Sequence, residues 1–413
     1  MKFLNFIYFN YIFINKVNIK FLIKYLLIFF IIILILINLN IIKRKKRLIY
    51  FTKNNINYLF NDREDMLRKG RKYINKCLSG LLLNKNNFNL TEKAIISVII
   101  PVFNCQKSIR ASIRSIQNQN ISEIEIILVN DYSKDNSLEI IKKLKKCDSR
   151  IKIINNIRTM GTLYTRSIGA LAAKGEYILT LDDDDMFFGD DIFDLVYKIG
   201  KNYKLDIIGF KSLLIRNYSY TFNEMKDNPF SNHTNNLTLY QPDLRRHPIL
   251  KYGYYNDINI WGKGIKANIY KKSVNILGKK RYSNYICWAE DTIIVFIIFS
   301  IANSYKFIDK YGVIHLFSNH TASFTQPETN IIFGEIFLLN ILFEFSPNDY
   351  YKNVVIYYAL KIKRKHQLNE FTDKKILLYL KVILEKIIKS NYISKRGKDI
   401  LKEKFQILYK NIF

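Results

Sequence analysis

Cysteine is scarce in this chain: Cys77, Cys105, Cys147 and Cys287 are the whole supply. No two of them have the spacing of zinc ligands or of a redox motif, so they read as buried thiols and leave the compartment undecided. Glycine is sparse too, with 15 residues, too few for a glycine-rich repeat. Neither GxxxxGK[ST] nor GxGxxG occurs, which argues against a nucleotide triphosphatase and a dinucleotide enzyme. Acids number 35 against 65 lysines and arginines, leaving a net charge of +30. That excess is spread along the chain rather than gathered into one aromatic-interleaved stripe, so nucleic acid is not expected as a partner. Anionic membrane surfaces or phosphorylated small molecules suit the charge as well. What the chain does have is 49% apolar residues over a length of 413, ample for a sizeable core.

One stretch is long and wholly uncharged. Tyr25 to Ile42, "YLLIFFIIILILINLNII", would span roughly 27 Å as a helix, close to a hydrocarbon core of about 30 Å. No small-residue cleavage site follows, so it reads as a retained transmembrane anchor after a short tail at 1–24. A single-pass membrane protein of the endomembrane system, ER or Golgi, is the expectation. The flanking charges point both ways. Lys16, Lys20 and Lys24 precede the span, whereas "KRKKR" at Lys43 to Arg47 follows it and would keep the bulk cytosolic. Sequons at Asn217, Asn232, Asn236 and Asn319 would be usable only in a lumen.

Residues 43–93 read as a basic stem with a short helix at Glu64 to Leu78. From Ile95 the texture changes. "IISVII" ends at Pro101 as a core strand does, and "CQKSIRASIRSIQNQ" follows with Ile109, Ile113 and Ile116 at helical spacing. "EIEIILVND", "SLEIIKKLKK", "RIKIINN", "TLYTRSIGALAAKG", "EYILTLD", "DIFDLVYKIG" and "LDIIGF" continue the alternation, the helix in the fourth of these being stopped by Gly175. Strands and helices alternating at this pace predict an α/β fold, with a mostly parallel central sheet flanked by helices. Ligands bind such sheets beyond the carboxyl ends of the strands. Asn104, the pair Asn130–Asp131, and the run Asp182 to Asp185 all fall at such ends.

The four consecutive aspartates admit two readings. Carboxylates at i and i+2 just past a strand can share one Mg²⁺ or Mn²⁺ that also holds substrate phosphates. They can equally be a solvated turn before the next helix, where acids favour the macrodipole. Asp190 and Asp191 can serve that helix start alone, which leaves the earlier four needing a reason. Asp131 could accept hydrogen bonds from a base or ribose, while Asp135 and Ser137 suit a turn or cap. Arg166 could face a diphosphate or merely solvent.

Taken together, "SVIIPVFN", "ILVNDYSKDNS", "GTLYTRSIGALAAKGEYILTLDDDD" and the later "WAEDTI" resemble the core of the family 2 glycosyltransferases, which have the GT-A fold. The close resemblance covers residues 96–189, with a looser one to the acidic pair Glu290–Asp291. It implies that Asp131 contacts the base of a nucleotide sugar, with Pro101, Val102 and Asn104 lining the pocket and Arg166 nearing the nucleotide or its phosphates. Asp182 and Asp184 look like the outer members of the family's DxD element. Asp184 would be the direct metal ligand, Asp182 would lie toward the ribose and the metal's water shell, and Asp183 and Asp185 would be supporting acids. Asp291, beside Glu290, resembles the catalytic base that deprotonates an acceptor hydroxyl for inverting attack. Mn²⁺ or Mg²⁺ is the implied cofactor.

Three departures stand out from the family's pattern: Thr159 where asparagine is common, Ser167 in place of asparagine, and Tyr132 in place of glycine. "WGKGIKANIYKKS" resembles an acceptor-side segment, with Trp261 either a sugar-stacking platform or a core aromatic. "DTIIVFIIFSIA" reads as a buried helix fixing the base, too short for a second span. His315 and His320 read as loop histidines or as groups returning to the diphosphate.

The expected organisation is a glycosyltransferase domain at 94–325 (nucleotide-binding half 94–210, acceptor half 211–325) and a helical extension at 326–413. The expected reaction is transfer of a hexosyl or N-acetylhexosaminyl group, UDP-linked in the family's manner, to an acceptor hydroxyl of a glycan, lipid or protein. A nucleotidyltransferase would want a glycine-rich phosphate loop where "PVFNCQKS" stands, and a processive synthase would want several spans. An inactive sugar-nucleotide-binding scaffold would be favoured by loss of Asp184 or Asp291, and both are present.

Overall fold

A computed structural model describes residues 65–66, 68–79, 93–216, 238–240, 259–317, 327–345, 350–365, 373–391 and 393–406. The chain divides into Met1–Arg68 and Lys69–Phe413, and the second unit carries everything below. The expected anchor at 25–42, the tail before it, most of the stem, the four sequons and His320 lie outside the described residues. Among the described residues no helix is long and apolar enough to cross a membrane.

Residues 69–79 are helical (α1). The alternation read from the sequence then appears as β1 (Ile96–Val102), α2 (Ile109–Gln117), β2 (Ile124–Asn130), α3 (Ser137–Cys147), β3 (Ile151–Asn155), α4 (Thr162–Ala172) and β4 (Tyr177–Thr180). Helix α4 stops at Ala172, ahead of the glycine expected to end it. Further on come β5 (Met186–Phe187), α5 (Ile192–Asn202), β6 (Ile207–Arg216), β7 (Thr238–Tyr240), β8 (Lys263–Lys266), α6 (Ala267–Leu277), α7 (Lys279–Tyr282), α8 (Glu290–Ile301) and β9 (Ser304–Phe317). The helices α9 (Glu328–Phe345), α10 (Tyr350–Lys365), α11 (Lys374–Lys389) and α12 (Lys395–Lys404) complete the described order.

The sheet runs β3–β2–β1–β4–β8–β6–β9–β5, with β7 also on β9. It is mixed rather than mostly parallel, which corrects the sequence expectation. β3, β2, β1 and β4 pair in parallel. β8, however, lies antiparallel to both β4 and β6, whereas β6 and β9 are parallel. The reason is local: parallel neighbours need a crossover helix, and β8 enters the sheet with the opposite polarity between two strands that precede it.

Both faces of the parallel half are buried. Ile96, Val98 and Ile100 of β1 pack on one side with Ile109, Ile113 and Ile116 of α2. Ile99 points the other way, into a core shared with Leu163 and Ala170 of α4. Helix α8 is buried from Thr292 to Phe299, apolar all round as a fully enclosed helix must be. Burying each of its large side chains contributes about 1.5–3 kcal/mol. The C-terminal helices join that core through Ile336, Leu339, Val355, Leu380 and Leu401, so the helix carrying Asp291 is clamped between layers. Part of the stretch read as stem is also packed on the domain. Tyr73 of α1 donates from its hydroxyl to Gly189 O at 3.0 Å and sets its ring edge-on to Phe188 at 5.5 Å. Arg114 donates to Cys77 O at 2.9 Å, satisfying a carbonyl at the helix's far end.

Candidate active site

The four aspartates follow β4 as one tight turn, closed by Asp185 N donating to Asp182 O at 3.1 Å. Within that turn their side chains diverge. Asp183 accepts Phe103 N at 2.9 Å, tying the turn to the end of β1. Fully buried Asp185 accepts Leu316 N at 2.9 Å and lies 2.8 Å from His315 Nδ1. Asp182 meets Arg166 Nη2 at 2.5 Å. Asp184 makes no hydrogen bond or ion pair among the described residues. The capping role expected of Asp191 takes another form. It occupies the N-cap of α5 without a side-chain capping bond and pairs instead with Lys310 at 2.5 Å.

Burial is the main reason the Asp183 carboxyl is pushed up to about 7, its neighbours Asp182 and Asp185 adding to the effect. Burial, then repulsion from Asp185, Asp183 and Asp182, pushes Asp184 up to about 9. Burial opposes charge on His315, but Asp185 foremost, with Asp182 and Asp184, overcomes it and lifts the imidazole to about 9. The chain thus supplies its own cation beneath the acidic turn. His315 stands on strand β9 rather than in a loop, with Trp261 stacked on it at 4.9 Å and 18°. Trp261 is buried, so of its two readings the core aromatic holds.

Arg166 is the hub of the site. Its side chain is 5% exposed and bonds Asp182, Glu290 (3.3 Å) and Asp291 at once. Of the two readings from composition, the solvent-facing one is overturned. Sequence could not have shown this, because the partners lie on different elements and meet only through the fold. Asp291 also accepts Ile260 N at 3.3 Å. Both acids sit in the first turn of α8, where the macrodipole favours negative charge. Burial first, then Asp291, holds Glu290 up at about 7 although Arg166 pulls it down. Burial likewise raises Asp291 against the pull of Arg166.

Asp131 forms a neighbouring knot. It accepts Asn156 Nδ2 at 2.7 Å, Met160 N at 2.8 Å and Gly161 N at 2.8 Å. These fill three of roughly four acceptor positions on a carboxylate, leaving one on Oδ2 for a ligand donor. Gly161 is required here: φ is +89°, and a Cβ would lie 2.9 Å from Ile286 O. Val102 O accepts Asp131 N at 2.8 Å, and Pro101 pairs in register with Val129, so both hold the knot's base. Asn104, at φ +51°, staples the adjoining loop by accepting Lys134 N at 2.8 Å. Tyr132, where the family's glycine would stand, takes φ +62° under Lys134, whose ammonium is 3.5 Å from the ring centroid. Asp135 accepts Ser137 N at 2.9 Å, the turn role expected of it.

Among the described residues no three acidic, histidine or cysteine side chains form a closed set of metal ligands. An uncommitted Asp184 beside Asp182 is nonetheless an all-oxygen pair that suits Mg²⁺ or Mn²⁺ once diphosphate and water complete the shell. The raised acids have a measurable consequence. The folded chain binds more protons than the unfolded one between about pH 4 and the raised values, so stability falls as pH rises across that window. His315 adds in the same direction, its stabilising charge being lost as pH rises through about 9. Without added divalent cation the protein should therefore melt lower at pH 8 than at pH 5. Asp184→Asn should shrink that difference, as thermal unfolding followed by fluorescence would register.

The sequence model described as Glycosyl transferase family 2 matches residues 97–248. A Campylobacter jejuni protein named GalNAc(5)-diNAcBac-PP-undecaprenol beta-1,3-glucosyltransferase is 36% identical over 109 residues, 26% of this chain and 35% of its own. Escherichia coli WfaP, named UDP-Glc:alpha-D-GlcNAc-diphosphoundecaprenol beta-1,3-glucosyltransferase, is 41% identical over 91 residues, 22% of this chain and 36% of its own. The matches thus span about a third of these relatives' lengths. The crystal structure of S. aureus TarS 1-349 in complex with UDP-GlcNAc superposes with a TM-score of 0.53 at 15% identity, covering 78% of this chain and 89% of that one. At that identity the likeness speaks to the fold, an α/β GT-A-like sheet flanked by helices. Sequence motifs and the family match agree: residues 97–248 of this chain match the model of a glycosyl transferase family 2 domain.

Proposed function

We propose that this protein is an inverting glycosyltransferase moving a sugar from a nucleotide diphosphate, UDP in the first instance, to a hydroxyl of a lipid-linked glycan. One observation carries the reading. A single buried guanidinium, Arg166, joins the acid at the end of β4 to the acids that open α8. Donor-side and acceptor-side carboxylates are thereby held around one point. The names of the two bacterial relatives, each of which includes a glycan on undecaprenol diphosphate, support the acceptor class.

In this reading the free acceptor position on Asp131 takes a donor from the base, above the strand ends of β1 and β2. Asp291 accepts the acceptor hydroxyl's proton as the oxygen attacks the anomeric carbon, and the bond to the diphosphate breaks on the opposite face. Glu290, held up near neutral pH, shares the Arg166 contact and keeps Asp291 oriented. Asp184 and Asp182 would hold Mn²⁺ or Mg²⁺, which would stabilise the charge on the departing diphosphate. The uncharged segment at 25–42 would keep the domain beside a membrane, where such acceptors lie.

The test is turnover of a nucleotide-sugar panel by the full chain in detergent, with lipid diphosphate-linked glycans and with or without Mn²⁺. One donor should be hydrolysed or transferred, and Asp184→Asn should lower that rate roughly 100-fold. A protein that binds no sugar nucleotide sinks the reading.

A further inference from the structure

Gly334 stands inside α9, a helix otherwise rich in large apolar side chains. A Cβ there would lie 2.3 Å from the carbonyl oxygen of Trp288 and 3.0 Å from its carbonyl carbon. Backbone and helix therefore meet with no side chain between them. The residue after Trp288, Ala289, has φ +61°, a left-handed conformation that costs an alanine about 1–2 kcal/mol. Glu290 and Asp291 follow at once as the first turn of α8, whose opening bond runs from Ile293 N to Ala289 O at 3.0 Å. A strained turn is thus pressed from one side by α9 and leads on the other into the acids. Glycine within a helix is about 1 kcal/mol less favourable than alanine, so the position sacrifices helix stability for close approach.

We propose that the C-terminal helices belong to the catalytic apparatus: α9, through Gly334, fixes the Trp288–Ala289 turn and so aims Glu290 and Asp291 at Arg166. This rests on the reading of Asp291 as the base. Gly334 touches no substrate; it is a positioning residue, and it lies outside the segment matched to the family.

Gly334→Ala is the decisive variant. By intrinsic propensity it favours α9, yet its methyl must displace the Trp288 carbonyl by about 1 Å to restore an ordinary carbon–oxygen separation. A shift of that size at a reacting group lowers turnover by roughly 10- to 100-fold. In the full chain, kcat for transfer should fall by that factor, while KM for the donor and its dissociation constant stay within about twofold. Ala289→Gly suits the turn's φ and relieves its strain. Combined with Gly334→Ala, it should return most of the lost turnover, because a glycine turn can absorb the displacement. Unchanged kcat in folded Gly334→Ala overturns the proposal, as does a loss confined to donor KM. If Gly334→Ala does not fold alone, the double variant decides. Folded, nucleotide-binding and active supports the contact; folded, nucleotide-binding and inactive overturns it. Failure of the native protein to bind any sugar nucleotide would instead sink the underlying reading.

Discussion

Replacing Arg166 by glutamine should lower transfer about 1,000-fold and stability by about 3–5 kcal/mol. The guanidinium is 5% exposed and holds three carboxylates that are themselves mostly covered. Removing it leaves three carboxylates facing one another without the cation that bridges them, the costly way to break a buried pair. The stability loss should be smaller at pH 5, where Glu290, held up at about 7, is protonated and no longer repels Asp291. Lysine should rescue little. An ammonium is a point charge and cannot span Asp182 and Asp291 as a planar fork does. Urea unfolding at pH 5 and pH 8 together with transfer assays would register all of this. A glutamine variant as stable as the native protein would mean the three acids are not held by this arginine.

Asp291→Asn should lower kcat by about 1,000- to 10,000-fold, the upper range for loss of a general base, while donor affinity is kept. The amide keeps the shape and can still accept the Ile260 amide through its carbonyl oxygen. What it loses is basicity. Burial already holds the Asp291 carboxyl above the ordinary carboxylate range, with Arg166 opposing, so the native acid limb of the pH–rate profile should sit above that range. Rate rises as the carboxyl deprotonates, and the asparagine variant should lack that limb. Glu290→Gln should cost far less, because Glu290 meets Arg166 at 3.3 Å and serves to orient its neighbour. Equal losses in the two variants would show that the base is misassigned.

The parallel half of the fold was legible in the sequence because each strand–helix pair is a local pattern bounded by its own turn. β8 was not legible. It is four residues long and begins with a buried lysine, so no alternation announces it. Its polarity, which makes the sheet mixed, is a property of the crossover rather than of the strand. The acids at 131, 182, 184 and 291 were legible as types at strand and helix ends, but their partners were not. Arg166 and Asp291 are 125 positions apart, and nothing local distinguishes a hub arginine from a surface one. His315 carried a faint signal: four adjacent acids call for a cation, and a nearby strand could supply one. Trp261 had none, since a stacked core ring and a sugar platform share one residue type.

The contacts of α1 bear on where this domain begins. Gly70 lies so close to β6 and β9 that a Cβ there would meet Leu213 at 3.3 Å and Ile314 at 4.0 Å. Ile74 and Cys77 are buried on the same helix. A fragment cut at the family match, residue 97, would strip this cover from β6, β9 and the Phe188–Gly189 loop and bare an apolar patch there. Such a piece should precipitate or pair with itself, whereas one starting ahead of α1 keeps its cover. At the other end Gly334 packs against the Trp288 carbonyl, so cover is supplied from beyond the match on that side as well. The match at residues 97–248 leaves out both α1 and the Glu290–Asp291 end of α8, and the packed body extends past it in both directions.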